Sequence, residues 1–201
     1  MSRLSAPSAH PRLVLASTSQ YRRQLLERFG IRFTVAAPDV DESALPGETP
    51  IDLVARLARA KAEAVAHRHR GSVVLGSDQL AVFGREVIGK PGNPERAIEQ
   101  LRAFSGHSLT FYTAVHLVHS DTGANEGHLD HTTVHFRKLS HEEIDRYVAR
   151  ERPVNSAGAF KVEALGITLF DRIETQDPTA LIGLPLIWVS AALRRAGFQL
   201  P

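Results

Sequence analysis

The sequence contains no cysteine, and it has a single methionine and a single tryptophan among its 201 residues. The missing thiols exclude a cysteine nucleophile, a cysteine-ligated zinc and a disulfide framework, and they fit a reducing compartment. No run reaches the ~18 consecutive apolar residues of a membrane span, and the first residues lack the apolar stretch of a secretory signal. A cytoplasmic location with no membrane partner is therefore expected. Charge of neither sign dominates: 24 Lys and Arg stand against 22 Asp and Glu, a net of +2. That is little to hold a nucleic acid, and basic and aromatic residues form no common stripe, so no nucleic-acid partner is expected. Repeats, heptads and low-complexity blocks are also missing.

What is there fits one domain. A chain of this length buries roughly 70% of its unfolded surface and needs no structural metal. Residues 1–11, rich in Ser, Ala and Pro, have no apolar period and read as a loose extension; residues 12–201 read as a single domain, or two lobes sharing a core. Leu13 to Ala16 is a short buried strand, followed by Ser17-Thr18-Ser19 as cap for a helix from about Gln20 to Phe29. Thr49 and Pro50 open a second helix to about His67. Ser72 to Gly76 forms a buried strand that ends at Ser77-Asp78-Gln79, and Gly84-Arg85 marks a hairpin. Asn93-Pro94 opens a helix that stops near Gly106. Two β-rich runs follow, about Leu109 to His119 and His128 to Leu139. Ser140 with Glu143 makes a capping box for a helix through Val148. A strand over Gly166 to Phe170 and a helix from about Pro185 to Ala196 complete the chain. Interleaved helices and strands indicate an α/β fold with a mixed sheet and flanking helices.

Charged residues stand at the ends of these apolar elements, and they carry the chemistry. Strand, Ser-Thr-Ser and helix together present free backbone N–H groups and hydroxyls beside Arg22 and Arg23, a geometry suited to phosphate oxygens or simply an ordinary capped helix. Lys61 falls inside the apolar stripe Val54, Leu57, Ala58, Val65, so it has to snorkel, pair, or point into a cleft. Glu42 lies in a Pro-bounded acidic loop. Asp78 closes an apolar strand, where α/β sheets open their ligand crevices; it can bind a divalent metal, take a proton from water, or cap a turn. Lys90, in Gly89-Lys90-Pro91, sits on a restricted turn, without the spacing of a Walker A loop. Four cations with two carboxylates point to phosphoanhydride chemistry. His116, His119, His128, His131 and His135 crowd the β-rich runs, but strand alternation sends His128 to the face opposite His131 and His135, so no zinc site is expected.

The ordered series Leu15 to Arg23, Asp41-Glu42, Ala60-Lys61-Ala62, Gly76-Ser77-Asp78, Gly89-Lys90-Pro91, Ser105-Gly106 with Thr113, and Ala157-Gly158-Ala159-Phe160 resembles the Maf family of nucleotide pyrophosphatases. The resemblance implies a mixed α/β fold, related to the inosine triphosphate pyrophosphatases, with two lobes around a cleft. It implies cleavage of a nucleoside triphosphate between the α and β phosphates, with Mg²⁺ or Mn²⁺. Asp78 would be the proton acceptor, with Glu42 a rival for the base and both carboxylates facing the metal. Lys61 and Lys90 would complete the catalytic set, and Ser17, Arg22, Arg23 and Lys161 would bind substrate. At three positions, Arg22, Gln79 and Glu163, the chain is similar to the branch that hydrolyses 7-methyl-GTP rather than dTTP or UTP. Guanine offers N1–H and its amine as adjacent donors, which one carboxylate at Glu163 can accept. A homodimer is also implied, with Leu186, Ile187 and Trp188 as interface candidates, although core packing is another use for them. The resemblance leaves room for a nucleotide-binding regulator of septum formation, which would need the cleft but not Asp78.

Overall fold

The computed structural model describes residues 11–201. The extension expected over residues 1–11 therefore lies outside the described residues, except for Pro11. Among the described residues seven strands form one mixed sheet: β1 (Arg12–Ala16), β2 (Phe33–Ala36), β3 (Ser72–Phe83), β4 (Glu86–Ile88), β5 (Ser108–His119), β6 (Asn125–Phe136) and β7 (Phe170–Glu174). Their order is β2-β1-β3-β5-β6-β7, with β4 paired to β3 outside this path. The β2-β1-β3 ladder is parallel and the rest is antiparallel. Among the described residues five α-helices pack on it: α1 (Gln20–Glu27), α2 (Pro50–Ala66), α3 (Pro94–Phe104), α4 (His141–Glu151) and α5 (Leu186–Arg195).

Strand alternation divides the core. Leu13, Leu15, Val73 and Leu75 turn to one face and pack with Leu25, Leu26, Val189 and Leu193 of α1 and α5. Val14, Ala16 and Val74 turn to the other and meet Ala62 and Val65 of α2. Farther along the sheet, Ala81, Leu109, Phe111, Val134 and Phe136 build a separate apolar cluster with α3 and α4. Ala81 is an even number of residues from Val73 and Leu75, so these two clusters share a face of β3 and lie at opposite ends of it. They are the two lobes expected from the resemblance.

Three local readings are corrected. β3 does not stop at Gly76 but runs to Phe83, because β5 pairs with it throughout, from Val73↔His119 to Val82↔Thr110. The segment read as a strand over Gly166 to Phe170 is a 3₁₀ turn at Leu165–Leu169, and β7 begins only at Phe170. Gly166 N–H donates back to the Lys161 carbonyl at 2.9 Å, so local bonds take the place of a ladder there. β6 begins three residues earlier than its apolar run and ends at Phe136, since pairing with β5 extends it over polar residues. The edge strand β2 was not anticipated; it is only four residues long.

The continuation of β3 creates the feature that positions the site. Its parallel partner β1 accompanies it only through Gly76, and β4 joins it only from Ala81. Over Ser77 to Leu80 that edge of β3 has no strand beside it, leaving a notch in the sheet. Consecutive residues at the notch, Asp78 and Gln79, project to opposite faces and still reach the same opening.

Candidate active site

A cleft of about 500 Å³ opens at the notch, lined by Ser17, Arg22, Glu42, Lys61, Asp78, Gln79, Lys90 and Glu163 among others. The structure thus brings together eight of the ten residues expected to form the site. A larger groove, about 860 Å³, lies at the other end of β1 beside Arg12, Arg32, Arg68 and Phe198, and none of the expected site residues lines it.

Lys61 does not snorkel: from within the buried apolar stripe of α2 it reaches the cleft and pairs there. It is 5% exposed, and its Nζ lies 2.6 Å from Asp78 Oδ1 and 2.6 Å from Glu42 Oε1. The approach depends on Gly76: a Cβ there would stand 2.3 Å from the Ala58 carbonyl oxygen and 2.6 Å from the Ala62 nitrogen. Glycine lets α2 lie against β3 with no side chain between them, so a lysine one helical position from Ala62 can reach a carboxylate two residues beyond Gly76. Asp78 itself is 7% exposed. Glu42 is largely exposed and reaches Lys61 from the loop before α2. That loop is tied down by Arg56, whose Nε and Nη2 donate to Glu48 at 2.6 and 2.8 Å, and whose Nη2 also donates to the Ser43 carbonyl at 2.9 Å. The guanidinium fork holds the Glu48 carboxyl down at about 2. Sequence reading missed this clamp, and no spacing rule connects Arg56 with a loop eight residues upstream.

On the opposite wall, Ser19 caps α1 by accepting from the Arg22 N–H at 3.4 Å. Ser17 Oγ accepts from the Ser19 N–H at 3.1 Å and from Arg22 Nη1 at 3.4 Å. Arg22 Nε donates to the Gly183 carbonyl at 3.2 Å, and the buried Ser77 hydroxyl donates to the same oxygen at 3.0 Å. Burial lowers the pKa of Arg22 below its ordinary value, while Asp78 and then Glu42 pull it back up. Gly183 has φ +130°, and a Cβ there would stand 3.3 Å from Arg22 Cγ, so the loop after β7 closes directly onto the arginine.

Two expected residues are not in the cleft lining. Arg23 follows Arg22 by ~100° around α1, so the two cannot face the same way; its Nε instead donates to Glu27 at 2.9 Å on the exposed side. Lys161 turns toward α4, where its Nζ donates to the Glu151 carbonyl at 3.0 Å and lies 3.1 Å from Glu151 Oε1. It anchors the segment that presents Phe160 and Glu163 to the cleft. Residues that sequence reading did not single out also line the wall, among them Phe111, Asn155 and Ile182. Nothing in their local sequence distinguishes them from packing or loop residues.

Among the described residues no group of three His, Cys, Asp or Glu could hold a metal ion. His128 stacks on Trp188 with centroids 5.5 Å apart. Of the interface candidates, Leu186 is buried and Trp188 packs against the α1/α5 core, while Ile187 is 63% exposed. No described helix is long and apolar enough to cross a membrane.

The family model described as Maf-like protein matches residues 12–196. A protein of Xanthomonas campestris pv. campestris (strain 8004), named 7-methyl-GTP pyrophosphatase, is 54% identical over 191 residues, covering 95% of this chain and 99% of that one. A protein of the same name from Aromatoleum aromaticum is 53% identical over 192 residues, covering 96% and 99%. Among solved structures, the Staphylococcus aureus Ham1 protein aligns with TM-score 0.43 and 19% identity over 62% of this chain and 71% of that one.

Proposed function

The chain belongs to the Maf family, and we propose that it hydrolyses a nucleoside triphosphate between its α and β phosphates, with 7-methyl-GTP as preferred substrate. The observation that carries this reading is the buried lysine that joins two carboxylates at the sheet notch, with Arg22 and Lys90 lining the same cleft. The cations suit a triphosphate, whose charge grows at the leaving pyrophosphate as the bond breaks. Arg22, held by Ser17 and the Gly183 carbonyl, and Lys90 bind the phosphate chain. Asp78 takes the proton of a water whose oxygen forms the new bond to the α-phosphorus. The bond from that phosphorus to the bridging oxygen breaks, and pyrophosphate departs. Fixed groups on β3 and α2 supply orientation, which for phosphoryl transfer is most of catalysis.

A divalent ion fits the same residues. Glu42 and Asp78 offer hard oxygen donors around a point that already accommodates a positive charge, the Lys61 ammonium. With only two protein carboxylates there, the other positions would fall to phosphate oxygens and water, a pattern suited to Mg²⁺ or Mn²⁺. When bound, such an ion neutralises charge on the phosphate oxygens.

The preference for guanine rests on Glu163, which lines the cleft and can accept two adjacent donors, together with the names of the relatives. The test is product analysis with 7-methyl-GTP and UTP, for wild type and Glu163→Gln. Pyrophosphate and monophosphate are the expected products. The ratio of kcat/KM values should favour 7-methyl-GTP and fall ~10-fold or more in the variant, because a site built to accept hydrogen bonds discriminates by leaving groups unpaired. Orthophosphate with diphosphate would place attack at the γ-phosphorus and overturn the reaction; a wild-type preference for UTP would overturn the substrate alone.

A further inference from the structure

Gln79, Thr113 and Asp130 are register partners across β3, β5 and β6. They form a polar row between the two apolar clusters on one face of the sheet, and Thr113 and Asp130 are almost wholly buried. The loop after β7 is seated on this row. Gln79 Nε2 lies 2.8 Å from Thr113 Oγ1, 2.9 Å from the Ala180 carbonyl and 3.1 Å from the Leu181 carbonyl. The Thr113 hydroxyl spends its own proton on the Ala180 carbonyl at 3.0 Å, so toward Gln79 it too can only accept. Three acceptors therefore surround one end of the amide. That end must be the nitrogen, because the amide oxygen turned there would face three lone pairs. The other end of the amide is then the oxygen, and Gln79 is among the residues that line the cleft.

We propose that Thr113 is a positioning residue for base selectivity. With the Ala180 and Leu181 carbonyls, it locks the Gln79 amide nitrogen inward, so that the base-reading wall presents only acceptors, Gln79 Oε1 and the Glu163 carboxylate. An unlocked glutamine could rotate its amide and match a donor or an acceptor equally. A locked one rejects the carbonyl edges of uracil and favours a base with adjacent N–H donors, as in guanine. The inference rests on reading the cleft as a nucleotide site, and it gives a role to a side chain that does not line the cleft.

The test uses the full chain and measures calorimetric binding of guanosine and uridine monophosphates, alongside hydrolysis of the matching triphosphates. Thr113→Val removes the hydroxyl with little change in volume; it should lower the guanine-to-uracil affinity ratio ~3- to 10-fold, the worth of one ordinary hydrogen bond. Thr113→Ser should restore the ratio. Gln79→Met, which leaves Thr113 in place, should lower the ratio at least as far, and it serves if Thr113→Val does not fold. An unmoved ratio in Thr113→Val or Gln79→Met, an equal loss for both bases, or no rescue by serine would overturn the proposal. Pyrophosphate release with an unmoved binding ratio would sink this inference alone. Selective binding that responds to the variants, without pyrophosphate release from any nucleotide, would sink the hydrolase reading and leave this one standing.

Discussion

The inner and outer faces of α2 carry ion pairs of nearly the same length and of very different consequence. On the inner face Lys61 meets Asp78 at 2.6 Å, with side chains 7% and 11% exposed; on the outer face Arg59 meets Glu63 at 2.7 Å, with side chains 59% and 41% exposed. Distance alone does not separate them. What differs is the solvent: water screens the outer pair, and such exposed pairs contribute ~0–1 kcal/mol. The inner pair has surrendered most of its hydration, so the Asp78 carboxylate depends on the Lys61 ammonium, and losing that partner is costly. A buried pair is poor evidence for stability, since apolar residues could fill the same space. Its presence at an open notch, facing a cleft lined with Arg22 and Lys90, is better evidence for chemistry.

The comparison breaks hardest at Lys61. Lys61→Met should strand Asp78 as an unpaired buried carboxylate and cost ~3–5 kcal/mol of stability, read from urea unfolding. A loss below ~1 kcal/mol would mean that Asp78 is better solvated than its burial implies. Next comes Asp78→Asn, which keeps shape but removes charge. Lys61 retains Glu42 as partner, so the fold should hold while turnover falls by at least ~10²-fold, as for loss of a general base. Wild-type turnover would remove Asp78 from the chemistry and promote Glu42. The smallest effect is expected on the outer face: Arg59→Ala should change stability by no more than ~0.5 kcal/mol and leave kcat/KM unaltered. A larger loss there would mean that exposure is the wrong criterion for telling the two faces apart.

Much of this architecture is legible in the sequence. Thr49 with Pro50, Asn93 with Pro94, and Ser140 with Glu143 announced three helix starts correctly, since capping is a local exchange between a side chain and the first free N–H groups. Leu13 to Ala16 read as a strand because four consecutive apolar residues are needed to bury both faces. Lys61 was marked by its place in an apolar stripe, although its partners were not. Other features escaped for a shared reason. β3 reads as if broken at Ser77-Asp78-Gln79, because polar residues interrupt its apolar run; pairing with β5, more than thirty residues away, carries the strand through. Arg22 and Arg23 look equivalent in sequence, yet helical rotation leaves only one of them on the cleft. Lys161 sits two residues from Glu163 and turns to Glu151 instead.

By itself the sequence determined the sites of helix nucleation, the apolar faces, and the set of charged residue types from which a phosphate site could be made, because these depend on neighbours within a few positions. Only the tertiary structure decided that β1 stops at Gly76 while β3 continues, that the absent Cβ of Gly76 lets α2 bring Lys61 onto Asp78, and that the loop carrying Ala180, Leu181 and Gly183 fixes both Gln79 and Arg22. Each of these joins groups far apart in the chain, where burial removes the competing water and leaves a polar group no partner except the one that packing supplies.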